Sequence, residues 1–195
     1  MPKGQIFIFS GPSGVGKGTL ISALKKKHPD WIFAVSCTTR KKRSREKKGE
    51  NYYYLSLAEF KQKIDNNEFL EWAFVHEKNY YGTLKSETID HSKKGKIVIR
   101  ELNVEGFLST KKLLSDDDFF AIFISPVGGI PELIRRILKR GKISDSDLAK
   151  RVKSMKREFK VQHQYDQTIY SVTGKIDKLV SEAEKIIQER INDLQ

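Results

Sequence analysis

Gly11, Gly16 and Lys17 stand in the spacing Gly-x-x-x-x-Gly-Lys, filled here as Gly11-Pro12-Ser13-Gly14-Val15-Gly16-Lys17. Glycines so placed let a backbone curl until its N–H groups point inward, and the lysine adds a mobile positive charge, an arrangement suited to polyphosphate oxygens. A helix beginning at Lys17 would add the partial positive charge of its N-terminus. The chemistry this allows is the binding of a nucleoside triphosphate, with Lys17 bridging the β- and γ-phosphates and following charge into a transition state. The usual pattern continues with Ser or Thr, whereas Gly18 follows here and Thr19 comes next. The hydroxyl that would meet Mg²⁺ is displaced by one residue, and Thr19 is read as its nearest substitute, acting through water.

A phosphate loop leaves the acceptor open. Ser36-Cys37-Thr38-Thr39-Arg40-Lys41-Lys42-Arg43 carries two arginines three residues apart. They could grip one phosphate with several charge-assisted bonds, although taken by themselves they read first as a solvated basic loop.

The elements that must position these residues follow from apolar patterning. Residues 5–10 read as a short buried strand running into the glycine loop, and 17–27 as a helix, the context that such a loop requires. Residues 31–36 and 52–55 read as strands, with the basic stretch 40–48 between them as loop. Ser56-Leu57-Ala58-Glu59 has capping-box spacing, with Leu55 and Phe60 placed as a hydrophobic staple, so a helix should start there. Asp65-Asn66-Asn67 is turn chemistry, 69–75 extends, and Tyr80-Tyr81-Gly82-Thr83 is assigned to a second loop. Phe69, Trp72 and Tyr80 are read as core. Residues 97–99 and 119–124 are runs of the kind a parallel sheet buries on both faces. Helical periods at 133–138 and 148–159 flank a polar turn at 141–147, and Ile176, Leu179, Val180, Ala183, Ile187 and Ile191 mark an amphipathic terminal helix.

The chain has 195 residues, 38% hydrophobic and 32% charged, which suits one domain with a sizeable core and argues against global disorder. Its single cysteine, Cys37, excludes an internal disulfide and any Cys-rich zinc site, and is read as filling space. The apolar run 6–9 is too short for a signal sequence or a membrane span, so a cytoplasmic protein is expected. A formal charge of +12 favours anionic partners without choosing between nucleotides and nucleic acid. His76 and His163 lack partners for a catalytic triad and are read as structural or exposed.

The sequence resembles guanylate kinases over essentially its whole length. The resemblance rests on residues 11–17, on Ser36 through Arg43, on Phe69-Leu70-Glu71-Trp72 and on Asn79-Tyr80-Tyr81-Gly82-Thr83, four motifs in family order. It implies an α/β P-loop NTPase fold with a parallel sheet core (1–36, 85–135 and 160–195), a strand-rich GMP-binding insert (about 37–84) and a helical lid (about 136–159). It implies transfer of the γ-phosphoryl of Mg²⁺-ATP to GMP, with dGMP as a further candidate acceptor, no membrane or nucleic-acid partner, and a monomer or homodimer. ATP would be held by residues 11–19. Arg40, Arg43, Tyr52 and Tyr81 would hold the GMP phosphate, while Ser36, Glu71 and Thr83 read guanine, with Glu101 alongside. Lys17, Arg40, Arg136, Arg140 and Arg151 would carry catalysis, the last three by bringing charge over the transferring phosphoryl.

The chemistry agrees with Glu71 as reader, since guanine presents N1–H and its N2 amino group as adjacent donors that one carboxylate can accept together. Without the resemblance, Arg135, Arg136 and Arg140 would be the exposed face of a basic helix. Three departures stand out. Glu101 and Asn103 occupy the places of the family's Asp-x-Asp, the loop before Asn79 is longer by about one residue, and Tyr170-Ser171-Val172-Thr173-Gly174 replaces the usual Asn-Asp of the adenine pocket, leaving adenine contacts unassigned. A binding module without catalysis is the main alternative, opposed by the intact Gly16 and Lys17. A P-loop kinase for another nucleotide would leave Glu71 without a task.

Overall fold

The computed structural model describes residues 4–44, 46–50, 52–75 and 78–194, the side chains of Val75 and Arg140 apart. His76 therefore lies outside the described residues. Strand β1 (Gln5–Ser10) is buried along its whole length and lies between two parallel partners, β7 (Ile97–Glu101) and β8 (Phe119–Pro126). The short β2 (Ile32–Phe33) extends the sheet beyond β7, and β9 (Gln167–Ser171) beyond β8, giving the all-parallel order β2-β7-β1-β8-β9. Alternation along β1 divides the core. Phe7 and Phe9 face helices α1 (Lys17–Lys27), α5 (Gly129–Arg140), α6 (Asp145–Lys160) and α7 (Ile176–Asp193), contributing to a cluster with Leu20, Leu133, Met155 and Ile187. Ile6 and Ile8 face Phe107 of α4 (Val104–Lys111), with Val98 and Phe123. Each such side chain contributes about 1.5–3 kcal/mol on burial. Because β1 has a parallel neighbour on either side, the crevice beyond its C-terminal end is where such sheets bind ligands.

A second sheet, ordered β4-β3-β6-β5, comprises β3 (Cys37–Thr38), β4 (Tyr53–Tyr54), β5 (Phe69–Val75) and β6 (Asn79–Leu84). Its own cluster contains Cys37, Phe60 and Phe69, with Leu55 packed beside them, so the expected staple forms. Ser56 caps α2 (Leu57–Asp65) in a complete capping box with Glu59. A short helix, α3 (Ile89–Ser92), leads back to β7.

Two expectations fail here, and one boundary moves. Tyr80, Tyr81, Gly82 and Thr83 are strand rather than loop, because Gly82 marks a close approach: a Cβ there would lie 2.9 Å from Glu71 O and from Trp72 Cβ. Trp72 is 46% exposed rather than core, since the register shift between Phe69 and Glu71 turns both Phe69 and Leu70 inward and leaves Trp72 and Phe74 on the outside. The polar turn at 141–147 is shorter than expected, because Ser144 accepts from Asp147 N and so starts α6 at Asp145. Strand β9 has no counterpart in the sequence reading; its signal, Thr168-Ile169-Tyr170, is three residues long. No helix among the described residues is long and apolar enough to cross a membrane.

Asn103 has a local task. As N-cap of α4 its side chain accepts from Gly106 N at 2.8 Å, which an aspartate would also do. Asn103→Ala should lower stability by about 0.5–2 kcal/mol, whereas Asn103→Asp should leave it equal or slightly higher through the helix dipole. Urea unfolding of the two variants checks the order.

Candidate active site

The phosphate loop leaves β1 at Gly11, where a Cβ would meet Ile124 O at 2.4 Å, so only glycine lets the loop pass this close to β8. Gly16 is the N-cap of α1 in a left-handed conformation, and no side chain among the described residues caps the helix. The first-turn N–H groups thus face the loop's interior, as an anion requires. Lys17 folds back over the loop, its Nζ donating to Gly11 O at 2.6 Å and Pro12 O at 3.4 Å. Burial lowers the Lys17 pKa, while Glu101 and Glu158 pull it up. Glu158, on α6, is buried against this loop; burial raises its carboxyl pKa, and Ser154 and Lys17 act against that shift.

Glu101, at the end of β7, lies beside this loop. A Cβ on residue 18 would lie 3.8 Å from its Oε2, an ordinary contact distance, which places that carboxylate beside the helix start. The surrounding protein raises the Glu101 pKa, against the pull of Lys17. Thr19 is exposed on the first turn of α1.

The predicted guanine readers converge. Glu71 and Thr83 are register partners across β5 and β6, and Ser36 Oγ lies 3.4 Å from Thr83 Oγ1. A residue that the sequence reading missed binds them together: Arg100 of β7 donates from Nη2 to Glu71 Oε1 at 2.5 Å and to Thr83 Oγ1. Its signal was a lone arginine closing an apolar strand run. The Glu71 side chain is 11% exposed, and Arg100 is 2% exposed.

The predicted phosphate holders also meet, with an unexpected partner. Arg40 is clamped by Glu46 through two bonds, at 2.8 and 3.0 Å, and lies 5.5 Å from the Tyr52 ring centroid. Tyr52 and Tyr81 are 5.8 Å apart, ring to ring. The Arg43 backbone N–H and the Tyr54 hydroxyl also donate to Glu46, while the Arg43 side chain is exposed. Hydrogen bonding from Arg40, then from Arg43, holds the Glu46 carboxyl down to about 2. The sign follows directly: a carboxyl depressed in the fold stabilises this loop above its ordinary pKa of 4.5, and that contribution disappears as pH falls toward 2. An NMR titration should find the Glu46 midpoint near 2; a midpoint above 4 would mean that the clamp does not persist in solution.

Arg136 lies against the phosphate loop, donating to Val15 O, Ser171 O and Ser171 Oγ, each at 3.1 Å, and to Glu132 Oε1 at 2.9 Å. It closes one side of a cavity of ≈ 440 Å³ lined also by Gly14, Lys139, Thr173 and Leu179. Arg151 is exposed on α6 without a hydrogen-bond or ion-pair partner among the described residues, and the Arg140 side chain lies outside them. Cys37 is fully buried, which raises its thiol to about 12 and makes it inert; His163 is exposed.

A parallel sheet, a glycine loop at the end of its central strand and an uncapped helix behind that loop define an α/β P-loop nucleotide-binding protein. The family model described as Guanylate kinase matches residues 3–190. Proteins named guanylate kinase from Clostridium tetani and Thermotoga maritima are similar to this chain, the first 40% identical over 99% of this chain and 92% of its own length, the second 39% identical over 86% and 79%. The crystal structure of guanylate kinase from Anaplasma phagocytophilum superposes with a TM-score of 0.73 at 26% identity, covering 97% of this chain and 87% of that one. The chain belongs to the guanylate kinase family.

Proposed function

We propose that this chain transfers the γ-phosphoryl of ATP to GMP, giving ADP and GDP, with the phosphate loop as donor site and the Glu71–Thr83–Ser36 edge as acceptor site. The observation that carries this reading is the course of β7: Glu101 stands beside the helix that opens at Lys17, and its neighbour Arg100 reaches Glu71 and Thr83. One strand end thus touches both the triphosphate cradle and a base-reading cluster, which brings two nucleotides end to end.

In this reading residues 11–19 cradle the ATP phosphates, and the cavity beside Val15 and Arg136 takes the adenine. Residues 37–84 form the acceptor insert and 136–159 the lid. Arg40, positioned by Glu46, holds the GMP phosphate with Arg43, Tyr52 and Tyr81. Glu71 accepts N1–H and the N2 amino group of guanine, and a hydroxyl of Thr83 or Ser36 donates to O6. Lys17, Arg136, Arg140 and Arg151 neutralise charge on the transferring group and keep water from it.

No group of three or more acidic, histidine or cysteine side chains among the described residues could cage a metal ion. Mg²⁺ keeps water ligands and binds through substrate phosphates with one or two protein oxygens. Thr19 and Glu101 are the oxygen donors beside the loop that would hold it, directly or through water. When bound, Mg²⁺ neutralises phosphate charge.

A coupled assay for ADP with GMP, dGMP, AMP, CMP and UMP as acceptors tests the proposal. ADP formation should depend on GMP and be far slower with AMP, CMP and UMP. No acceptor-dependent ADP above background would leave the binding-module alternative.

A further inference from the structure

Arg100 has no part in the motifs that carry the family resemblance, and the phosphoryl-transfer reading leaves it without a role. Its guanidinium is buried, yet among the described residues Nε and Nη1 have no hydrogen-bond partner and Nη2 alone is engaged. A buried, half-paired guanidinium is a poor source of stability, because each unmatched donor has given up water without a replacement. The two bonds it does make are selective, since both end on base-reading atoms. A guanidinium is only a donor, so Glu71 Oε1 and Thr83 Oγ1 must both accept from it. The Thr83 hydroxyl, having accepted from Arg100, has to direct its own proton elsewhere, toward Ser36 Oγ at 3.4 Å or toward a ligand atom in that place.

We propose that Arg100 sets the polarity of the base site: through one nitrogen it fixes Glu71 as acceptor and Thr83 as donor, so that the site receives guanine and rejects a purine with a 6-amino group. This rests on the reading of the site as that of GMP. Guanine offers donors at N1 and N2 and an acceptor at O6, whereas a 6-aminopurine presents a donor where Thr83 already points a proton. Glu71 has room for both partners, since a carboxylate accepts at about four positions. Without Arg100 the Thr83 hydroxyl is free to rotate and to accept from a 6-amino group. Arg100 therefore acts through two other side chains, as a positioning residue of specificity.

The test compares wild type, Arg100→Met and Arg100→Lys with GMP, IMP and the monophosphate of 2,6-diaminopurine riboside. IMP keeps O6 and N1–H and lacks only the 2-amino group; the diaminopurine nucleotide keeps the 2-amino group, replaces O6 by a donor and loses the N1 proton, a loss that faces Glu71 equally in wild type and variant. In Arg100→Met, KM for GMP should rise about tenfold or more with kcat changed less, and the kcat/KM preference for GMP over the diaminopurine nucleotide should shrink at least about tenfold. Arg100→Lys, which keeps a donor on a different geometry, should fall between. In a Thr83→Val background the same Arg100 substitution should change that preference much less, since the two residues act as one unit. A preference within about twofold of wild type in folded, ATP-binding Arg100→Met overturns the inference, and if that variant does not fold, the same result in Arg100→Lys does so. A wild-type protein without GMP-dependent ADP formation would overturn the functional reading itself. A wild type that phosphorylates GMP, with an unchanged preference in the variants, overturns only the role of Arg100.

Discussion

Lys17→Met is expected to lower kcat for GMP phosphorylation by about 10³-fold or more, the loss associated with removing one charge that follows a transferring phosphoryl. Methionine keeps the length and flexibility of the side chain and removes only its ammonium. The fold should survive, because α1 begins at a left-handed Gly16 and is anchored by buried Leu20 and Leu24, none of which involves the Lys17 head group. In the free protein that head group hydrogen-bonds loop carbonyls, Gly11 O foremost, and its removal takes a positive charge away from Glu101 and the buried Glu158, whose carboxyls then rise further in pKa. KM for GMP should change little, because different elements hold the acceptor. Steady-state kinetics with both substrates, alongside far-UV circular dichroism, check this; a kcat within about tenfold of wild type in a folded variant would remove Lys17 from the transition state.

The second large effect is expected from Glu71→Gln, with the loss falling on the acceptor. Glutamine keeps the shape but turns one of two acceptor oxygens into a donor, so guanine's adjacent N1–H and N2 amino groups cannot both be received. It also removes the counter-charge of the buried Arg100, bonded to Glu71 at 2.5 Å. One lost bond and one donor left facing a donor, at about 1–3 kcal/mol each, correspond to a fall of roughly 30-fold to 10⁴-fold in kcat/KM for GMP, expressed mostly in KM. Discrimination against AMP should shrink with it, because a polar site rejects a wrong base through its own unpaired groups. The acceptor panel measures both numbers, and a variant that still prefers GMP as strongly as wild type would show that guanine is read elsewhere.

The two substitutions differ in how visible their targets are in the chain. The phosphate loop spans seven consecutive residues, and each constraint on it is local: a left-handed Gly16, a close approach at Gly11 and a helix start behind them. Ser56 and Glu59 likewise declare their helix within four residues. The clamp on Arg40 is harder to read, because Glu46 sits among basic residues and looks like an ordinary surface charge until the loop folds back on it. The assignment of Tyr80–Thr83 to a loop failed for a related reason: glycine is a turn signal along the chain, and only the neighbouring strand reveals that it marks a close approach.

Legible in the sequence alone were the central buried parallel strands, the glycine loop and the proposal of Glu71 as base reader, since periodicity, glycine spacing and motif order are properties of neighbours along the chain. Decided only by the tertiary structure was the environment of that reader. Residues 71, 83 and 100 come from strands of two different sheets, and Arg100 gives no sign in the chain that it ends at Glu71 and Thr83. The physical reason is range: turns and caps are settled within a few residues, whereas pairing a buried charge requires strands distant in sequence to be brought together at one crevice.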